Sequence, residues 1–215
     1  MAQLKRSEII TLGKKWAGRK SQTLDLNDEF DFVTRDMSIK YPLLRAVQTG
    51  SLTADQNYIA LPGDYRSQDI FITASGYPTA FKVGDNWLPF LKSQAEFYEL
   101  DLTMYGTPVL YAIMEDPGLH KIYFYPYPET DTPAYKFLYF KLHPKASGET
   151  PDNYLHLYGE FWDHVVANGV AMRAGNLMKE DDIEAEYEGR YLASLKEMNA
   201  LVKAKPYLRN AYYHY

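Results

Sequence analysis

Residues 106–140, GTPVLYAIMEDPGLHKIYFYPYPETDTPAYKFLYF, constrain this chain more than any other stretch. Three runs rich in Tyr, Phe, Leu and Ile are separated by turns carrying Pro, Gly, Asp and Thr. Such runs read as strands, here approximately Pro108–Met114, Lys121–Tyr125 and Tyr135–Leu142, joined as an antiparallel meander by hairpin-like connections. Pro126 and Pro128 cannot donate to a ladder, so they mark the end of the middle strand. Helical sequence lies on both sides of this block. The architecture must therefore join sheet and bundle.

Upstream, Ser7 reads as the N-cap of EIITLGKKWAG, with Ile9, Ile10, Leu12 and Trp16 as its apolar stripe. Asn27 is placed to cap DEFDFVTRDMSIKY, where Phe30, Val33, Met37 and Tyr41 share one helical face. Pro42 disfavours helical geometry at Tyr41 and ends that helix. From Tyr58 to Phe90, the runs YIALP, QDIFITA and TAFKV alternate with Pro62-Gly63-Asp64, Ser75-Gly76 and Gly84-Asp85-Asn86 turns, and 91–100 has helical spacing. Beyond Pro151 the sequence predicts one long helix whose face is Leu155, Tyr158, Trp162, Val165, Val166, Gly169, Met172 and Asn176. Glu180-Asp181-Asp182 starts the next, because carboxylates favour the positive end of a helix. Its face is Ile183, Tyr187, Tyr191, Leu195, Met198 and Val202, and Pro206 ends it. The fold class expected is α+β: a helical bundle from 1–56 and 151–205, an inserted antiparallel β module at 57–150, and an extended aromatic C-terminal tail at 206–215.

Composition narrows the chemistry. Twenty tyrosines stand against 10 Phe and 3 Trp, a residue suited to half-buried sheets and to interfaces. The net charge of −5 argues against a dedicated nucleic-acid binder. Charge is uneven: Lys5, Arg6, Lys14, Lys15, Arg19 and Lys20 oppose Glu8 alone in the first twenty residues, and EDDIEAEYE at 180–188 is acidic. These runs either pair between neighbouring subunits or are solvated faces. With no cysteine, disulfides and thiol catalysis are excluded. No apolar run approaches membrane-spanning length and no signal-peptide core is present, so a soluble intracellular product, or part of an assembly built there, is expected, with no membrane partner.

Catalytic signatures do not emerge. There is no GxxxxGK[ST] loop, GxGxxG turn or GxSxG elbow. His156, Glu160 and His164 fall at i, i+4 and i+8, and would line one helix face as a weak metal candidate. The bland reading is a polar face opposite Tyr158, Trp162 and Val165. Acidic pairs such as Asp28/Asp31 and Glu184/Glu188 suit helix starts and solvent better than the facing carboxylates of a glycosidase. Tyr123, Tyr125 and Tyr127 would share a face if the strand continued through Pro126, giving either a stacking platform or core. No enzyme activity, cofactor or established metal site is expected. The tail is more informative: Tyr207, Leu208, Arg209, Tyr212, Tyr213 and Tyr215 lie past a helix-stopping proline. Aromatics with Arg are what interface anchors favour, although a strap over its own bundle would use them too.

The order of phrases carries a resemblance. LPGDYRS (61–67) leads into strands, and GTPVLYAI (106–113) precedes KIYFYPYPETDTPAYKFLYF (121–140). TPDNYLHLYGEFWDHVVANGVAMRAGNLM (150–178) then leads to a last helix ending SLKEMNAL (194–201). Over roughly 57–202 this resembles the head-to-tail adaptor proteins of tailed bacteriophages, the head–tail connector or tail tubular protein A group. The resemblance implies a helical bundle with a β insertion and a homo-oligomeric ring of about twelve subunits. It implies a portal protein on one side and a downstream tail or nozzle protein on the other, with double-stranded DNA passing through unbound by sequence. It further implies that a C-terminal segment reaches the portal, a role that 206–215 would fill. It implies no catalytic residue. The other reading is a non-enzymatic carbohydrate- or protein-binding module using the Tyr-rich sheet.

Overall fold

The computed structural model describes residues 2–116, 119–130, 134–146 and 151–204. The chain forms two compact units, Met1–Leu44 with Leu142–Tyr215 and, between them in sequence, Arg45–Lys141. Terminal helices with antiparallel sheets make it α+β.

In the first unit, α1 (Arg6–Ala17) is followed by a 3-10 turn at Arg19–Thr23 and by α2 (Asn27–Lys40). The caps differ from expectation. Lys5 precedes α1, and its N–H donates to the Glu8 carboxylate at 2.8 Å, so Ser7 lies inside the helix. Asn27 is the first residue of α2, and its N–H is taken by Asp25 Oδ1 at 3.0 Å. Ser7 is the second residue of α1, too far along to cap it, while Glu8 as the third residue reaches back to the N–H of the cap position. Tyr41 is extended (φ −134°, ψ 139°), as the following proline requires.

The expected long helix from residue 151 begins only at Asp163. Residues 151–162 instead hold 3-10 turns at Pro151–Asn153 and Glu160–Trp162, with Gly159 at φ 81° between them. That left-handed residue breaks any helical run through it. Two long helices complete the unit: α4 (Asp163–Met178) and α5 (Asp181–Ala204), separated by Lys179 in the left-handed conformation. Asp181, Asp182 and Glu184 occupy the first turn of α5.

Helix α4 is the axis of this unit, packed by α1, α2 and α5. Val165, Val166, Ala167, Val170, Ala171 and Ala174 are all fully buried, and such complete burial contributes roughly 1.5–3 kcal/mol per valine. Glycine allows the closest approach. A Cβ on Gly169 would meet Val33 Cγ1 at 2.5 Å, and one on Gly175 would meet the backbone N of Glu184 at 2.7 Å. Phe30, Val33 and Met37 of α2 and Tyr187, Tyr191 and Leu195 of α5 are buried in the same core, as their spacing predicts.

The second unit begins with β1 (Arg45–Ser51), β2 (Tyr58–Ala60), β3 (Tyr65–Gln68), β4 (Phe71–Ile72), β5 (Pro78–Thr79), β6 (Phe81–Val83) and β7 (Asn86–Leu88). The short helix α3 (Gln94–Tyr98), capped by Ser93, precedes β8 (Leu110–Asp116), β9 (Leu119–Tyr125) and β10 (Ala134–Lys141). All sheet pairing is antiparallel: β1-β10-β6-β7 with β3 also on β10, β2-β9-β8, and the pair β4-β5. The TAFKV run divides at buried Ala80, whose N–H donates to the Tyr111 hydroxyl at 2.9 Å instead of to a strand.

The expected three-strand meander is therefore corrected. β8 and β9 form its hairpin, but β10 leaves to become the centre of the five-stranded sheet. After Tyr125 the chain runs along residues 104–106: Tyr127 N–H donates to Met104 O at 3.1 Å, and Gly106 N–H donates to Tyr127 O at 2.8 Å. Pro126 has no N–H to extend β9. β10 instead pairs in full with β1, from Arg45↔Phe140 to Ser51↔Ala134. RAVQTGS carries too few apolar residues to announce a strand, so β1 has no signal of its own.

The two larger sheets share one core. Tyr135, Phe137 and Tyr139 alternate inward from β10, while Ile122 and Phe124 do so from β9. Phe81 lies at its centre, with ring centroids of Phe124 at 5.0 Å, Tyr135 at 5.3 Å and Tyr111 at 5.4 Å. On the other face of β8 and β9, Ala112, Met114, Tyr123 and Tyr125 pack with Phe97 of α3. Burial on both faces explains why LYAIM reads as a continuous apolar run.

Candidate interaction surfaces

The histidines predicted to line one helix face are separated by the structure. His156 lies in the irregular segment, buried; Glu160 is in a 3-10 turn; His164 is exposed on the first turn of α4. Among the described residues no group of three or more His, Asp or Glu side chains could hold a metal ion. The metal candidate rested on helical spacing, and that spacing is absent.

His156 serves as a pin. Its Nε2 lies 2.8 Å from Asp163 Oδ1, and its Nδ1 accepts from Tyr158 N–H at 3.2 Å, which places the proton on Nε2. The second oxygen of Asp163 accepts from Leu4 N–H at 2.8 Å, and the Gln3 amide donates to His156 O at 2.5 Å. Two N-terminal residues are thereby tied to the start of α4. A second buried histidine, His143, has the same logic. Its Nε2 accepts from Leu157 N–H at 3.0 Å, Nδ1 faces Pro144 O at 2.7 Å, and its ring stacks on Tyr158 at 5.2 Å. Both imidazoles have their ring nitrogens committed to internal partners. Nothing in the spacing of His143 marked this role.

Several other buried polar groups of this unit hold internal contacts. Arg6 donates to Asn27 O at 2.8 Å, lies 3.8 Å from Asp31 and stands over the Phe30 ring; Asp31 also accepts from Ala146 N–H at 3.0 Å. Tyr191 donates to Asp36 at 2.9 Å and Tyr158 donates to Thr34 O at 2.5 Å. Burial pushes both phenols well above the usual tyrosine range, and the Asp36 carboxylate adds to the rise at each.

Tyr123, Tyr125 and Tyr127 form no open platform. The strand ends at Tyr125, and Tyr123 and Tyr125 pack in the α3 cluster. Other apolar groups of the second unit are exposed. Ile70, Phe71 and Ile72 are consecutive exposed residues at the β4-β5 pair, and Tyr98, Met104, Tyr105 and Val109 are exposed between α3 and β8. Runs of exposed apolar side chains in a folded chain mark contact surfaces. On the first unit, Lys20 pairs with Glu180 and Trp16 stacks on Tyr187 at 6.3 Å, so the basic end of α1 and the acidic start of α5 meet within one chain. The six tail residues from Tyr207 to Tyr215 lie outside the described residues.

These features amount to packed polar pins and exposed apolar patches rather than a reactive constellation. A family model described as SU10 adaptor protein matches residues 5–211. The chain belongs to that family. The match covers the helical segments and the sheets together, and it agrees with the resemblance to phage head-to-tail adaptors. No match to a curated protein was found. The adaptor thus has the general role of a phage structural protein, not that of an enzyme family, which implies contact with phage portal and tail proteins and a place in the virion. No helix among its described residues is long and apolar enough to cross a membrane.

Proposed function

We propose that this adaptor assembles into a homo-oligomeric ring between portal and tail and lines the passage through which double-stranded DNA leaves. Family membership over nearly the full chain carries this reading. Ring formation needs a head-to-tail contact repeated around an axis, and a rigid, glycine-packed bundle is a suitable wall. The negative net charge of −5 suits a lumen that must not hold phosphates, since basic surfaces grip DNA through counterion release. The exposed apolar groups at 70–72 and 98–109 suit contact with the next tail component.

The C-terminal tail is proposed to dock the portal through Tyr207, Leu208, Arg209, Tyr212, Tyr213 and Tyr215. Binding of the phage's own portal ring, compared between the full chain and a chain lacking 206–215, tests this. Loss of portal attachment with unchanged thermal unfolding is expected. Equal attachment by the two chains would refute tail docking while leaving the ring proposal standing.

A further inference from the structure

Three buried side-chain atoms find no hydrogen-bond partner among the described residues: Arg6 Nε, the Tyr154 hydroxyl and Gln48 Oε1. The first two belong to one place. Arg6 opens α1, and Tyr154 follows the 3-10 turn at Pro151–Asn153. Both close on the Phe30 ring of α2: the Arg6 guanidinium stands 5.6 Å from its centroid, and the Tyr154 ring meets it edge-on at 6.4 Å. The Arg6 N–H also donates to Tyr154 O at 2.8 Å. Asp31, the next residue of α2, completes the cluster. Burial raises the Tyr154 phenol pKa, the Asp31 carboxylate raises it further, and the Arg6 guanidinium lowers it, so the hydroxyl feels both charges.

The charge pair itself is held apart. Arg6 is 4% exposed and Asp31 9%, yet Arg6 Nη2 and Asp31 Oδ2 stand 3.8 Å from each other. A direct charge-assisted bond would bring them to about 2.7–2.9 Å. Nη2 is given to Asn27 O and Oδ1 accepts from Ala146 N–H, while Oδ2 accepts no hydrogen bond. A buried ion pair is costly unless its remaining hydrogen-bonding sites are filled. Polar groups set this far apart are bridged by water.

We propose that this cluster is a binding site for one ordered water, which accepts from Arg6 Nε–H and the Tyr154 hydroxyl and donates to Asp31 Oδ2. The surrounding groups select the ligand. Two orphan donors and one open acceptor call for a molecule that both accepts and donates. An anion would face the Asp31 carboxylate and a cation would face the Arg6 guanidinium, so the ligand is neutral. Three partners are the usual number for a buried water. The water ties the start of α1, the middle of α2 and the chain after Asn153 into one buried polar joint. That joint lies within a single chain and does not depend on assembly.

Crystals of the full chain that diffract far enough to place ordered solvent test the site directly. A water within about 3.2 Å of Arg6 Nε, the Tyr154 hydroxyl and Asp31 Oδ2 is expected. Direct bonding of Arg6 Nε or the Tyr154 hydroxyl to Asp31, with no solvent between them, would overturn the site. An anomalous peak there in crystals grown with bromide would make the ligand an anion and overturn the water. Tyr154→Phe gives an independent readout through its sign, and it keeps the ring that packs on Phe30 and His143. A hydroxyl bonded to water stabilises the fold, so its removal should lower the folding equilibrium constant about two- to tenfold in a denaturant titration. A hydroxyl buried without a partner only costs its desolvation. A folding constant that stays level or rises in Tyr154→Phe would therefore overturn the site.

Discussion

His156 and Asp163 decide how the N-terminal residues are held. Removing the imidazole leaves Asp163 Oδ1 and the Tyr158 N–H without their partner, and Asp163 is also the acceptor that holds the Leu4 N–H. His156→Ala is expected to cost about 1–3 kcal/mol. Hydrogen exchange at the Leu4 amide should accelerate more than exchange at α5 amides, which distinguishes release of the arm from general loss of the fold. The tyrosines set a second expectation. Tyr158 and Tyr191 are held neutral by burial, so their folded pKa values lie above the free value of about 10. Their contribution to stability is complete below about pH 10 and is lost as pH rises through the folded values. Chemical denaturation between pH 8 and 12 should show stability falling above about pH 10, together with tyrosinate absorbance. Tyr191→Phe should flatten part of that fall. The abundance of tyrosine was plain in the composition, but its division was not: Tyr111, Tyr158 and Tyr191 are fully buried while Tyr98 and Tyr105 are exposed, a difference made by distant partners.

Helices that carry their own period were legible. Phe30, Val33 and Met37 of α2 and Tyr187, Tyr191 and Leu195 of α5 are buried as their spacing predicts, because each helix packs one stripe against α4. Elements whose form depends on remote partners were not legible. β1 becomes a strand through β10, and β10 joins a different sheet from its sequence neighbours because the chain after Tyr125 pairs with 104–106. Segment 151–162 has apolar residues at helical intervals, yet Gly159 and the buried His156 hold it irregular. The glycines of α4 yield a sharp test of the packing. Gly175→Ala would press a methyl against the backbone of α5 at Glu184, which cannot swing aside as a side chain can. A loss of about 1–3 kcal/mol is expected despite alanine's better helix propensity, and denaturant titration would measure it. In the second unit, Phe81→Ala removes the ring at the centre of the shared core and should cost about 3–5 kcal/mol in the same measurement.

The family match covers residues 5–211, spanning both segments of the bundle and the unit between them. The resemblance was readable from phrase order in the sequence, while the surfaces that meet were not, since solvated and interfacial charges look alike until burial separates them. The account stands or falls on assembly. Native mass measurement of the full chain mixed with the phage's portal ring is the most direct test. The account predicts a discrete complex containing a closed set of adaptor copies on one portal ring. Adaptor that remains monomeric beside intact portal would contradict it.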